Sequence, residues 1–321
     1  MTSTTRTVSQ WTPEQIPDLS GRTAFITGGN SGIGLETARV LVRHGATVIL
    51  AGRDQRKLDR AADGLRLEQP GADVHTAVLD LGALALIAAA AGRLAKTATL
   101  DMLFNNAGVM NIPERRTTAD GFELTFGTNR LGHFALTAGL LPALLRALAA
   151  RIVTVSAIAA TWRVGRQEDV MSQRRYGPMR AYAKSKRANV VFTAELARRL
   201  AGTNVTPVVV HPGSAVTNLQ QHNQSPLTRA VIALTRRIAM SSPQGAAWPS
   251  LYAATSPDIV SGGFYGPAGR DQTSGTPKRL DPSTDATNPT EGARLWTESE
   301  RLTGIHFLAV TSTRPRVSIH S

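Results

Sequence analysis

Tyr182 and Lys186 stand four residues apart in Ala181-Tyr182-Ala183-Lys184-Ser185-Lys186-Arg187-Ala188-Asn189-Val190-Val191-Phe192, a run that reads as helical through Leu200. At that spacing both side chains leave the same helix face. A phenol has an ordinary pKa of about 10, and a neighbouring cation favours its ionised form. The pair could therefore handle a proton. It could equally decorate a surface, and the spacing alone leaves both readings open. Ser156 directly follows the apolar run Arg151-Ile152-Val153-Thr154-Val155, which places it at the carboxyl end of a strand, the edge where ligands bind in open parallel sheets. Asn129 falls inside a helical pattern that it does not favour. Such a local conflict marks either a kink or a functional position. His133, one turn later, reads as a packed core histidine, since no second histidine lies at ligand spacing from it.

The second chemical signal is Thr27-Gly28-Gly29-Asn30-Ser31-Gly32-Ile33-Gly34. It follows the apolar run Thr23-Ala24-Phe25-Ile26 and opens a helical pattern that Gly45 ends. Glycines at a strand-to-helix turn let the backbone bend and let a phosphate come close. The helix N-terminus then offers unpaired N–H groups and the positive end of its dipole. An ordinary glycine-rich turn is the plainer alternative. The strand before, the helix after and the position in the chain fit a dinucleotide fold better. The next strand, Ala46 to Ala51, ends in Gly52-Arg53-Asp54. A carboxylate at that place would bind a ribose 2′-hydroxyl. Arg53 instead suits a 2′-phosphate, with Lys57 able to assist and Asp54 placed to cap the following helix.

Strands and helices alternate along the chain. Further strands are expected at Asp73–Leu79, Leu100–Phe104, Val205–Val210 and Gly262–Gly266, with helices from Ala83 to Lys96, up to Ala150, after Pro243 and over Thr290–Thr303. The pattern predicts an α/β fold, a doubly wound parallel sheet of Rossmann type. It forms a single domain with substrate-loop insertions and a C-terminal extension. Residues 1–19 read as an arm that Trp11 and Ile16 could pin, 20–267 as the dinucleotide-binding and catalytic domain, and 268–321 as a loop, a short helix and a tail. Residues 268–290, rich in Pro, Ser, Thr, Asp and Gly, read as a long loop.

The chain has 321 residues, 42% hydrophobic, enough to bury one large core. It has no cysteine, which excludes disulfides, thiolate metal sites and cysteine nucleophiles. The net charge of +13 comes from scattered pairs such as Arg174-Arg175 and Arg198-Arg199, without aromatic interleaving. That pattern reads as a solvated basic surface and not as a nucleic-acid site. No apolar stretch reaches membrane-spanning length, and Met1 to Gln15 lacks a signal-type apolar run, so a cytoplasmic location is expected.

Taken together, Gly28/Gly32/Gly34, Asp80, Asn105-Asn106-Ala107-Gly108, Asn129, Ser156, Tyr182 with Lys186, and Pro212-Gly213 with Thr217 resemble the short-chain dehydrogenase/reductase family over roughly residues 20 to 267. Gly52-Arg53-Asp54, Gly132-His133-Phe134, Ser185-Lys186-Arg187-Ala188-Asn189 and the wide interval from Ser156 to Tyr182 resemble its retinol-dehydrogenase-like branch. Ala157 departs from the pattern, since a second serine is common there. The resemblance implies NADP(H) as cofactor, with NAD(H) second. It implies contacts to that cofactor from Gly28, Asn30, Ser31, Gly32, Ile33, Gly34, Arg53, Asp80, Leu81, Asn106, Ala107, Gly108, Tyr182, Lys186, Pro212, Gly213 and Thr217. It implies a catalytic set of Asn129, Ser156, Tyr182 and Lys186. Tyr182 would exchange a proton with the reacting oxygen, Lys186 would lower its pKa and hold the ribose, Ser156 would bind the carbonyl oxygen, and Asn129 would fix a water beside Lys186.

The expected activity is therefore hydride transfer between nicotinamide and a carbonyl or alcohol. A non-catalytic dinucleotide sensor on the same fold is the alternative, disfavoured by the presence of all four catalytic residues. A sugar-nucleotide epimerase does not match the loop spacing, and a light-driven reductase would need a cysteine. Met110, Trp162, Val164, Met171 and Tyr176 suggest apolar walls for a hydrophobic small-molecule substrate, although they could equally pack the insertion against the body. Neither nucleic acid nor a metal is expected as a ligand, and a homodimer or homotetramer is left open.

Overall fold

A computed structural model describes residues 11–97, 99–162, 169–213, 242–269 and 272–307. Eight strands form one sheet: β1 Thr23–Thr27, β2 Thr47–Gly52, β3 Val74–Val78, β4 Met102–Asn105, β5 Ala150–Val155, β6 Val205–Val210, β7 Phe264–Pro267 and β8 Pro277–Leu280. Their order is β3-β2-β1-β4-β5-β6-β7-β8. The first seven are parallel, and β8 pairs antiparallel with β7. The strand order reverses between β1 and β4. The carboxyl ends of these neighbours diverge into Gly28 and Asn106, which opens a crevice at the switch point.

The helices are α1 Gly32–Arg43, α2 Gln55–Glu68, α3 Leu84–Thr97, a short α4 Leu124–Phe126, α5 Gly132–Leu145, α6 Pro178–Arg199, α7 Pro243–Thr255, a short α8 Thr284–Thr287 and α9 Pro289–Thr303. They cover both sheet faces, so the central strands are apolar without alternation, whereas the edge strands β3 and β8 carry exposed polar residues. Successive residues of β5 join opposite cores. Val153 packs with Leu41 of α1 and Leu251 of α7, whereas Ile152 packs with Leu140 of α5 and Phe192 of α6. The arm is pinned as its residue types suggest. Ile16 and Leu19 are buried in the first core, and the Trp11 ring lies edge-on to Tyr252 at 5.4 Å.

Two features depart from the sequence reading. Residues 268–290 are not one long loop, because β8 lies inside that stretch and extends the sheet. Beyond it, α9 delivers Trp296 into the second core, where it is buried, stacks on Phe192 at 5.9 Å and meets Phe134 edge-on at 5.2 Å. The other departure is the helix around Asn129. Between α4 and α5 the chain adopts π-helical geometry over Gly127–Leu131, with Asn129 at its centre. Such one-turn bulges occur mostly at functional sites.

Candidate active site

A cleft of about 500 Å³ opens at the carboxyl ends of β1, β2, β4, β5 and β6. At one end Gly28, Asn30, Ser31, Gly32 and Ile33 line it, with Arg53, Asp80 and Leu81. At the other end lie Tyr182, Lys186, Ser156, Pro212 and Gly213, with Asn106, Ala107 and Gly108 between the two. Thr217 and Val164 lie outside the described residues.

The glycine loop is packed as tightly as its composition requires. Gly28 has φ +66°, and a Cβ there would stand 3.2 Å from the Ala107 backbone. Gly34 has a different job from the one expected. It does not line the cleft. A Cβ on it would come within 2.5 Å of the Gly28 carbonyl oxygen, so its hydrogen lets α1 press against the loop. The cleft side of the loop is therefore bare backbone beside the N-terminus of α1, whose N-cap Ser31 makes no side-chain cap bond. This donor set suits a pyrophosphate.

Thr27 fixes the loop that follows β4. Its Oγ1 accepts the backbone N–H groups of Asn106 and Ala107, each at 2.9 Å, while Asn106 Nδ2 donates to Thr27 O at 2.8 Å. His133 backs this hydroxyl, with Nε2 at 3.0 Å from Thr27 Oγ1 and Nδ1 at 3.1 Å from Asn129 O. A carbonyl only accepts, so Nδ1 carries the proton and Nε2 accepts from Thr27, with Phe104 O at 3.1 Å as the competing acceptor. Burial holds His133 neutral, with its pKa pushed down to about 3. The core histidine expected from sequence is thus also a support for the cleft floor.

Tyr182 and Lys186 share one face of α6, as their spacing requires. Lys186 Nζ donates to Val155 O at 2.9 Å and lies 5.7 Å from the centre of the Tyr182 ring. Burial pushes the ammonium down to about 8. Burial also raises the Tyr182 phenol above its ordinary value. The lowering expected from Lys186 does not appear, and burial of the phenol is what sets the direction.

Asn129 does not line the cleft, and its amide serves neighbouring chain segments. Oδ1 accepts Val109 N at 2.7 Å, and Nδ2 donates to Val109 O at 2.8 Å and to Ser185 Oγ at 3.0 Å. Ser185 Oγ in turn donates to Tyr182 O at 2.7 Å. Asn129 therefore links the loop after Gly108 to the turn that carries Tyr182. Both amide N–H groups of Asn129 are committed to this positioning.

Ser156 differs most from expectation. Ser156 is 2% exposed as a residue, and its hydroxyl donates to Lys186 O at 2.8 Å, so the proton that was to hold a carbonyl oxygen points into α6.

Among the substrate candidates, Met110 and Trp162 line the cleft, joined by Ile112, Ile158 and Met179, which the sequence reading missed. Met171 and Tyr176 do not line it. The Met171 sulfur faces Glu123 N at 3.4 Å within a separate core cluster, and Tyr176 donates to Ile112 O at 2.7 Å. They pack the insertion against the body. Arg53 is exposed at the cleft rim. Asp54 caps α2 by accepting Lys57 N at 3.2 Å, and Lys57 Nζ lies 3.9 Å from Asp54 Oδ2. Lys57 therefore faces its own cap and does not line the cleft, contrary to the expected assistance. Among the described residues no helix is long and apolar enough to cross a membrane.

A family model for short chain dehydrogenases matches residues 22–227. Retinol dehydrogenase 14 of Mus musculus is 40% identical over 301 residues, covering 89% of this chain and 87% of its own. A crystal structure of an uncharacterized protein from Mycobacterium paratuberculosis is 38% identical, covers 94% of this chain and 100% of its own, and superimposes with a TM-score of 0.74. A gluconate 5-dehydrogenase-type structure from Beutenbergia cavernae with bound NADP is 29% identical, with 74% and 91% coverage and a TM-score of 0.60. The chain belongs to the short-chain dehydrogenase family of oxidoreductases, in its retinol-dehydrogenase-like branch.

Proposed function

We propose that this protein is an NADP(H)-dependent carbonyl reductase, able to run in reverse as an alcohol dehydrogenase, acting on a hydrophobic aldehyde, ketone or alcohol in the cytoplasm. The observation that carries the reading is one cleft with the Tyr182–Lys186 pair at one end and the glycine loop at the other. The bare backbone between Gly28 and Ile33 receives the pyrophosphate, Arg53 the 2′-phosphate, Asp80 and Leu81 the adenine side, and Asn106 to Gly108 the middle of the cofactor. Pro212 and Gly213, with Thr217 beyond the described residues, border the nicotinamide. Bound there, the nicotinamide supplies or takes up the hydride.

The chain's own residues manage the oxygen and its proton. Tyr182, kept protonated by burial, gives its proton as negative charge develops on the substrate oxygen. Lys186, with a pKa of about 8, is mostly charged at neutral pH and compensates the phenolate left behind. It is held in place by Val155 O, and Asn129 fixes the Tyr182 turn through Ser185. Met110, Ile112, Ile158, Trp162 and Met179 give the reacting end an apolar wall, which suits a substrate of retinoid-like hydrophobicity. The relative named retinol dehydrogenase supports that class.

The test is oxidation of NADPH by the purified protein with all-trans-retinal and a panel of apolar aldehydes and ketones. The reading predicts turnover with at least one class. A protein that binds NADPH and turns over none of them overturns it in favour of a dinucleotide sensor.

A further inference from the structure

The reacting end of the cleft is lined by Tyr182, Lys186, Ser156 and Ala157. Among the described residues no hydrogen bond reaches the Tyr182 hydroxyl, and its environment acts on it through burial alone. Ser156 lines the same end of the cleft, but its hydroxyl is turned elsewhere. A serine has one proton, and that of Ser156 goes to Lys186 O at 2.8 Å. The same strand end is clasped again from α6, where Lys186 Nζ and Asn189 Nδ2 donate to Val155 O at 2.9 and 3.3 Å. Val155 and Ser156 thus form a two-way fastening between β5 and α6. The residue that comes off this fastening into the cleft is Ala157. It lines the cleft and packs against the cluster of Ala159, Tyr182 and Ala183, with Met110 and Met179 alongside. Ala157 thus presents a methyl group to the cleft in the same cluster as Tyr182.

We infer that Ser156 is a positioning residue, that Ala157 occupies the place of a second oxygen-binding donor, and that the substrate oxygen is held by Tyr182 alone. This rests on the reductase reading above and sharpens it toward a substrate class. A preorganised donor aimed at a developing oxyanion accounts for about a hundredfold or more of rate in other enzymes. A site with one such donor handles carbonyls that need little help, namely aldehydes and electron-poor ketones, in preference to unactivated ketones. It also carries a latent gain, because a hydroxyl restored at position 157 would face the oxygen.

Turnover of NADPH with all-trans-retinal, 2,2,2-trifluoroacetophenone and acetophenone, measured on the wild type, Ser156→Ala and Ala157→Ser, tests this. NADPH titration and thermal melting are run on each variant. The inference predicts that Ser156→Ala lowers Tm but reduces kcat by no more than about threefold. It predicts that Ala157→Ser raises kcat about tenfold or more, most of all for acetophenone. A loss of about a hundredfold in Ser156→Ala with NADPH affinity intact, or no gain in folded Ala157→Ser, overturns it while the reductase reading stands. If Ser156→Ala fails to fold, the Ala157→Ser result decides. No turnover by any of the three, each with NADPH bound, overturns the reductase reading and this inference together.

Discussion

The two ends of the cleft are built on opposite terms. At the reacting end the supports are largely buried and tie together segments distant in sequence. Lys186 is held by Val155 O and Asn129 by the backbone N–H and carbonyl of Val109, while between the two ends the Asn106 loop is held by Thr27 with His133 behind it. At the other end the group proposed to select the cofactor is Arg53, an exposed side chain at the rim, beside an aspartate already engaged as a helix cap. The chemistry needs atoms held to a fraction of an ångström, so it sits where the sheet and α6 fix them. Cofactor choice needs only a charge within reach of a phosphate, and an exposed cation suffices. Changes at the first end should therefore stop turnover, whereas changes at the second should redirect it.

The largest effect is expected from Tyr182→Phe. It keeps the ring and its packing and removes the proton, so kcat should fall by about a thousandfold or more, with NADPH affinity nearly unchanged by fluorescence titration. Substantial residual turnover would remove Tyr182 as the acid. Lys186→Ala comes next and should damage both kcat and NADPH affinity, since the ammonium serves the phenolate and the ribose side. A loss confined to kcat would contradict the ribose contact.

Arg53→Ala should act at the other end alone. One charge-assisted contact contributes about 1.5–3 kcal/mol, which corresponds to on the order of ten- to a hundredfold in preference. NADPH should beat NADH in kcat/KM in the wild type, and the mutant should lose most of the gap through weaker NADPH binding while its NADH rate stays put. Equal use of both cofactors by the wild type would mean that Arg53 points to solvent.

The smallest effect concerns the floor between the two ends. Burial holds the folded pKa of His133 at about 3 against its ordinary value of 6.5, so the unfolded chain binds the proton first as pH falls. Its share of stability is complete above pH 6.5 and is lost progressively between 6.5 and 3. Melting temperature should drop less steeply over that window in His133→Gln than in the wild type, although the variant starts lower at neutral pH. Identical slopes would show that His133 is not the group being titrated.

Much of this site can be read from residue type and spacing. A phenol and an amine four apart on a helical run share a face whatever surrounds them, and Gly28 needs no neighbour to be recognised as a turn residue. What the sequence could not show depends on direction. At a strand end the alternation of side chains stops, so nothing in Val155-Ser156-Ala157 says which residue turns into the cleft. Met171 and Tyr176 have the same apolar character as Met110 and Trp162, yet only the latter pair reach the cavity. Strand β8 is four residues, Pro277–Leu280, with two central cations and turn-forming residues before it, so it carries no strand periodicity of its own. Its place is set by pairing with β7. Lys57 shows the converse. Proximity in sequence to Arg53 suggested a shared task, but the cap at Asp54 lies nearer.

The central claim is that hydride moves between NADP(H) and a carbonyl at the Tyr182 end. The measurement that tests it most directly is deuterium transfer from NADPH labelled on one face of C4 to all-trans-retinal or the best carbonyl of the panel, followed by mass spectrometry of the alcohol. One of the two labelled faces should give an alcohol carrying a single deuterium on its carbinol carbon, and Tyr182→Phe should give almost none. An alcohol without deuterium from either face, or no alcohol from a protein saturated with NADPH, would contradict the account.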